Sequence, residues 1–295
     1  MDKAYCTFDH KEWDANSFSN LSDSDIQDRK GNLLCPGCHG DAWYRKASYG
    51  NESPHFCAHH AENGCQYGTQ YEAVGEGDSD SDRKIPGTDD ANGIVLSLGT
   101  TRNEGVDISS AGVTSEGNVS GQKFVSGHSA NDGQKYPEQA SLKQMLLRLV
   151  KSGGGFYADK CFSMTSDGLE GLPESGSELF VNFSDVVHRS SINENESPLY
   201  DGKRRIYWGF ISDVRQSNDG KVWLNAGDIR KGLSIKLPEN AIDEFRKRFR
   251  VEGDFDILEG CHAIVIGTCI YASTGKPIIT CSDLNYITLR RYKAD

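Results

Sequence analysis

The most regular alternation of apolar and polar positions begins at Arg204. Ile206, Trp208, Phe210 and Ser212 alternate with Tyr207, Gly209, Ile211 and Asp213, a period of two that predicts a strand. Asn218-Asp219-Gly220 marks a hairpin turn, and Val222-Trp223-Leu224 reads as the second strand. Leu233, Ile235 and Leu237 share one face of a third. Pro238 then opens a helix, where its missing N–H costs little, and Ala241, Ile242, Phe245 and Phe249 form that helix's apolar face. A fourth strand is predicted over Cys261–Tyr271, a turn over Ser273-Thr274-Gly275-Lys276-Pro277, and a fifth strand from Ile278 to about Leu289.

Upstream the period changes. Leu142, Met145, Leu146, Leu149 and Val150 recur at helical spacing and predict a helix over Gln139–Lys151, stopped by Gly153-Gly154-Gly155. Phe156-Tyr157 and Leu179-Phe180-Val181-Asn182-Phe183 read as short strands. Residues 136–200 are expected to pack on the C-terminal strands. Residues 76–135 are rich in Gly, Ser, Asp, Asn and Thr, with one apolar island at Ile94-Val95-Leu96. Such a segment buries too little apolar surface to offset its ordering entropy. It is read as a flexible, disordered linker, with a short strand at the island as the alternative.

The order strand, strand, strand, helix, strand, strand over about residues 204–292 resembles an OB-fold barrel. The expected fold class is α+β, mainly β. It comprises a zinc-binding module (1–75), the acidic linker (76–135), a helix with short strands (136–200) and a five-stranded OB-like barrel with one helix (201–295).

Bulk composition fits a chain that is only partly packed: 36% of residues are hydrophobic and the mean hydropathy is -0.58. No apolar run is long enough for a membrane span. Met1–Tyr5 lacks an apolar signal segment, so no membrane partner and a cytoplasmic setting are expected. The net charge of -11 argues against simple nucleic-acid binding, yet it is unevenly spread. Residues 201–295 carry 16 Lys/Arg against 13 Asp/Glu, and every preceding segment is net negative.

Four of the nine cysteines lie between Cys35 and Cys65. In a reducing compartment such clusters more often bind metal than form disulfides. Cys35-Pro36-Gly37-Cys38 is a knuckle whose Pro-Gly turn lets two thiolates reach one ion. Zn²⁺ takes four tetrahedral S/N ligands in a closed structural site. His39, His55, Cys57, His59, His60 and Cys65 compete for the other two places. His60 and Cys65 are favoured, and Cys57 and His59 are the alternates. Cys35-Pro36-Gly37-Cys38, the aromatic and basic stretch Trp43-Tyr44-Arg45-Lys46, and Pro54-His55-Phe56 leading into His59/His60 together resemble the N-terminal zinc-finger region of CoiA-like competence proteins. The resemblance spans about residues 33–67. It implies a finger of a type found with DNA-processing proteins and no catalytic activity. The nuclease constellation that accompanies this finger in those proteins is not seen.

No phosphate-binding glycine loop, zinc-protease helix or nucleophile elbow occurs, so the chain is not expected to be an enzyme. OB-folds bind single strands by stacking bases on aromatics along a basic groove. The candidates are Tyr207 and Trp223, with Arg205, Arg215, Lys221, Arg230 and Lys231 as cations; Trp208 and Phe210 are expected to fill the barrel. The resulting expectation is a non-catalytic accessory protein that binds single-stranded DNA or RNA, in a setting such as bacterial DNA metabolism or defence. The alternative is a protein-interaction adaptor. The acidic N-terminal parts compete with phosphate for the barrel's cations.

Overall fold

The computed structural model describes residues 1–46, 53–60, 65–67, 94–96, 98, 138–164, 169–188 and 198–291. The chain opens with a hairpin, β1 (Lys3–Cys6) and β2 (Lys11–Asp14), and β3 (Leu33–Leu34) pairs with β1. Asp14 ends β2 and caps α1 (Ala15–Ser19), accepting from the Ser17 N–H at 2.9 Å. Ser22 caps α2 (Asp23–Lys30) in the same way. A second hairpin joins β4 (Ala42–Arg45) to β5 (His55–Ala58). Phe18, Tyr44 and Phe56 form the centre of this module's core, with Phe18 5.0 Å from Tyr44 and 5.3 Å from Phe56 between ring centroids.

The apolar island of the expected linker is strand β6 (Ile94–Leu96). It lies between parallel neighbours β7 (Glu138–Ala140) and β8 (Phe162–Met164), and all three of its side chains are buried. The expected linker is therefore interrupted by a core strand; apart from Leu98, the rest of 76–135 lies outside the described residues. Helix α3 (Leu142–Ser152) starts three residues later than its periodicity predicts. Ser141 and Gln144 form a reciprocal capping box there, and Gln139 belongs to β7. Gly153 ends the helix in the left-handed conformation at φ 60°. Phe156-Tyr157 is not a strand but part of a single 3₁₀ turn. Next come α4 (Gly176–Leu179), β9 (Phe180–Asn182) and α5 (Phe183–His188).

From Arg204 the chain builds one large, mostly β sheet. Its strands are β10 (Arg204–Phe210), β11 (Asp213–Gln216), β12 (Val222–Ala226), β13 (Leu233–Lys236), β14 (His262–Tyr271), β15 (Pro277–Thr280) and β16 (Ile287–Arg290), with α6 (Ile242–Phe249) between β13 and β14. The ladder runs β11-β12-β13-β15-β14-β10-β9 without closing on itself, and β16 adds to β14. The β13–β15 pair is parallel. The single first strand expected from alternation is broken after Phe210 because the backbone changes partner. Ile211 still bonds Cys261, whereas the Ser212 N–H donates to Asn225. The expected fifth strand is likewise divided, by a 3₁₀ turn at Leu284–Tyr286.

The β10–β14 part of the sheet is covered on both faces. Tyr207, Ala263 and Val265 face one core with α6, while Ile206, Trp208, Ile264 and Ile266 face a second with α3. Near-continuous apolar strands are the mark of a sheet buried on both sides.

The N-terminal module is fastened to this sheet. Lys30 Nζ lies 2.6 Å from Glu259 and 3.7 Å from Asp213, all three side chains being at most 10% exposed. Asn32 donates to Asp228 at 2.9 Å. Gly260 has φ +84°, and a Cβ there would sit 2.3 Å from the Trp43 ring, so only glycine permits this approach.

Candidate metal centre and cationic sheet face

The sulfurs of Cys35, Cys38 and Cys65 and a ring nitrogen of His60 all lie within 4.8 Å of one another. Local backbone geometry brings them there. After β3 the Cys35 N–H donates to Gly40 and the His39 N–H to Cys35, which folds the knuckle back on itself, with His39 left-handed at φ 56°. A Cβ at Gly37 would stand 3.0 Å from Cys65 Sγ. Cys35 Sγ is 3.6 Å from Cys65 Sγ, and Cys38 Sγ is 3.5 Å from His60 Nδ1. A disulfide needs about 2.05 Å. Tetrahedral bonds of about 2.3 Å to sulfur and 2.0 Å to nitrogen imply edges of about 3.8 and 3.6 Å. The spacing and the donor set therefore suit one metal ion. Burial pushes the Cys35 thiol above its ordinary pKa, which a bound cation would offset.

The competition for the third and fourth places resolves by position. Cys57 sits on β5 opposite Trp43, outside the cluster. His59 points the other way. Its Nε2–H donates to the Gly260 carbonyl at 3.0 Å, and its ring contacts Trp43, Phe210 and His262 at centroid distances of 4.9, 5.4 and 4.8 Å. Two adjacent histidines thus divide the work: His60 faces the sulfurs and His59 faces the C-terminal sheet.

The sheet's cations do not all converge. Tyr207 is fully buried and its hydroxyl donates to the Lys203 carbonyl at 2.8 Å, so it offers no stacking face. The expectation fails because Trp208 does not displace Tyr207 outward: both faces of β10 are covered. Phe210, expected inside, lies instead in the ring cluster around His59. Arg205 is on the same strand, which pairs with β14 and β9, and its Nη1 donates to the Arg204 carbonyl at 2.8 Å. Arg230 pairs with Asp28 at 2.9 Å, and Lys221 with Asp219 at 2.5 Å and Glu239 at 3.5 Å. Lys231 is exposed on the β12–β13 loop, its backbone N–H held by Asp228.

Arg215 and Trp223 are brought together. They are direct cross-strand partners, and Trp223 is in turn opposite Lys236, which is opposite Thr280. This gives one outward row across β11, β12, β13 and β15, with a half-buried indole between two cations whose side chains are 33% and 35% exposed, Arg215 paired with Asp213 at 2.9 Å and Lys236 with Glu239 at 3.2 Å. Sequence reasoning missed Lys236. The alternation Leu233, Ile235, Leu237 already places it outward, on the face of Trp223.

No family pattern matches the chain, and no curated protein matches it. Among solved structures, the chain is similar to a Leishmania major Friedlin protein assigned as an aspartyl-tRNA synthetase, at 12% identity and a TM-score of 0.24. The match covers 48% of this chain and 25% of that one. A likeness that slight bears on neither fold nor activity. No helix among the described residues is long and apolar enough to cross a membrane.

Proposed function

We propose that the chain is a non-catalytic, nucleic-acid-binding accessory protein, with an OB-type C-terminal unit that takes single-stranded DNA or RNA and a structural zinc site that holds the N-terminal module in shape. The observation that carries this reading is the row Arg215–Trp223–Lys236. A π-face flanked by cations suits a base with phosphates on either side of it. Strand order supports the OB-type reading. With β10 and β11 counted as halves of one strand, and β15 and β16 as halves of another, the open ladder runs second-third-fifth-fourth between the two halves of the first, with the third and fifth parallel. Strands two and three are where such folds bind oligonucleotides, and Trp223 and Lys236 stand on them. Three thiolates and an imidazole with tetrahedral spacing favour zinc in a closed, non-catalytic site. The CoiA-like resemblance of residues 33–67 points to the same class of partner.

The test is fluorescence anisotropy of the metal-loaded protein with labelled single-stranded and duplex oligonucleotides at two salt concentrations. Binding to single strands that weakens steeply with salt is expected. Trp223→Ala should cost about tenfold or more, the worth of one stacked base. No binding at micromolar protein and low salt would overturn the reading and leave the adaptor role, with both surfaces serving a protein partner.

A further inference from the structure

Helix α2 reaches both Arg215, at one end of the row, and Arg230 on the β12–β13 loop. Its sequence, Asp23-Ser24-Asp25-Ile26-Gln27-Asp28-Arg29-Lys30, carries three carboxylates. Two consecutive side chains reach the sheet's cations: the Gln27 Oε1 accepts from Arg215 Nη2, and Asp28 Oδ1 accepts from Arg230 Nη2 at 2.9 Å. Arg215 is the cation beside Trp223. The helix therefore sets an amide oxygen and a carboxylate oxygen on two arginines that a phosphate backbone would also use.

The contacts of α2 divide into a fixed set and a weak set. At its C-terminal end Lys30 is buried between Glu259 and Asp213, at 10%, 2% and 4% side-chain exposure. Removing one partner from such a group strands the others in a poorly solvated place. Gly31 packs so closely on the Gly227 carbonyl that a Cβ would lie 2.0 Å from it. By contrast, the Arg230 side chain is 70% exposed and Asp28 25%. An ion pair of that kind contributes little and is screened by salt. Side-chain rotation releases Arg230 from Asp28 and Arg215 from Gln27 while the module stays docked; Arg215 keeps its 2.9 Å pair with the buried Asp213.

Resting on the nucleic-acid reading above, we propose that α2 is an internal competitor for the strand-binding face, with Asp28 and Gln27 occupying Arg230 and Arg215 until phosphates displace them. The competitor is local, so affinity is set by the oxygens of α2 and not only by the count of cations. The acidic N-terminal segment thereby raises the threshold for weak polyanions.

The experiment compares wild type, Asp28→Asn, Asp23→Asn, Arg230→Ala, the Asp28→Asn/Arg230→Ala pair and Trp223→Ala in the anisotropy assay on the full chain. Asp28→Asn should tighten single-strand binding by about threefold at low salt, the worth of one exposed ion pair, with the gain shrinking as salt rises. Asp23→Asn removes the same charge from the first turn of the same helix, away from the Asp28–Arg230 pair, and should gain less. The Asp28→Asn gain should vanish in the Arg230→Ala background, which isolates the pair. Unchanged or weaker binding by Asp28→Asn, with Trp223→Ala still defective, overturns the competitor and leaves the binding face standing. Binding by neither wild type nor Asp28→Asn overturns the binding face and the competitor with it.

Discussion

His262 opens β14 with its imidazole against the rings of His59 and Phe210, 4.8 and 5.9 Å away between centroids. Burial, and secondarily His59, pushes its pKa down from 6.5 to about 3. The folded chain therefore refuses a proton that the unfolded chain accepts below about pH 6.5. Stability from this group is fully present above that value and is lost as pH falls toward 3, at up to about 1.4 kcal/mol per pH unit. Urea unfolding at pH 8 and pH 5.5 should show wild type losing about 1 kcal/mol more than His262→Gln; equal losses in the two proteins would remove His262 from the account. At this scale the sequence was readable where spacing limits the choice, as in Cys35-Pro36-Gly37-Cys38. It was less readable where neighbours compete. His59 and His60 have the same chemistry one residue apart, and only the β4–β5 hairpin turns one toward the sulfurs. Tyr207 and Trp208 pose the same difficulty: alternation assigns them opposite faces but does not say that both faces are covered.

Elements whose cause is local could be read from the chain. Helix α3 has its apolar stripe, and its Ser141–Gln144 capping box satisfies end N–H groups reciprocally. Ser141→Ala should lower stability by about 1 kcal/mol, seen as a lower urea midpoint with an unchanged slope; no shift would mean that burial of Leu142, Met145, Leu146 and Leu149 alone fixes that end. Helix α6 and the Asn218-Asp219-Gly220 turn were legible for the same reason. Strand β6 was not. Its three apolar residues sit in a polar stretch, and its partners β7 and β8 lie more than forty residues away and run parallel to it. Such pairing leaves little trace in a short window, because the strand's hydrogen bonds and its buried faces are all supplied from elsewhere. The breaks after Phe210 and before Ile287 were hidden likewise: alternation continues through a change of partner.

At the scale of the whole molecule, the metal-spaced cluster and the docking surface share a backbone. His60 belongs to the metal-spaced cluster, and the residue before it bonds the Gly260 carbonyl. Chelation, or Cys38→Ser, should therefore loosen more than the N-terminal module. Hydrogen exchange is expected to speed up in β4 and β5 and also around Gly260–His262, with α3 unaffected. Faster exchange confined to residues 1–67 would show that the two are uncoupled. None of this docking was legible in sequence, since Lys30, Trp43 and His59 each read as ordinary module residues until Glu259, Gly260 and His262 are placed against them. The Lys30–Glu259 pair joins residues 229 positions apart. A ribosome adding about 5–20 residues per second delivers Glu259 roughly 10–45 s after Lys30. Throughout that interval the newborn module presents an unneutralised lysine and an uncovered Trp43 to its surroundings, so synthesis itself contains a window in which chaperones and proteases meet a surface the finished protein never shows.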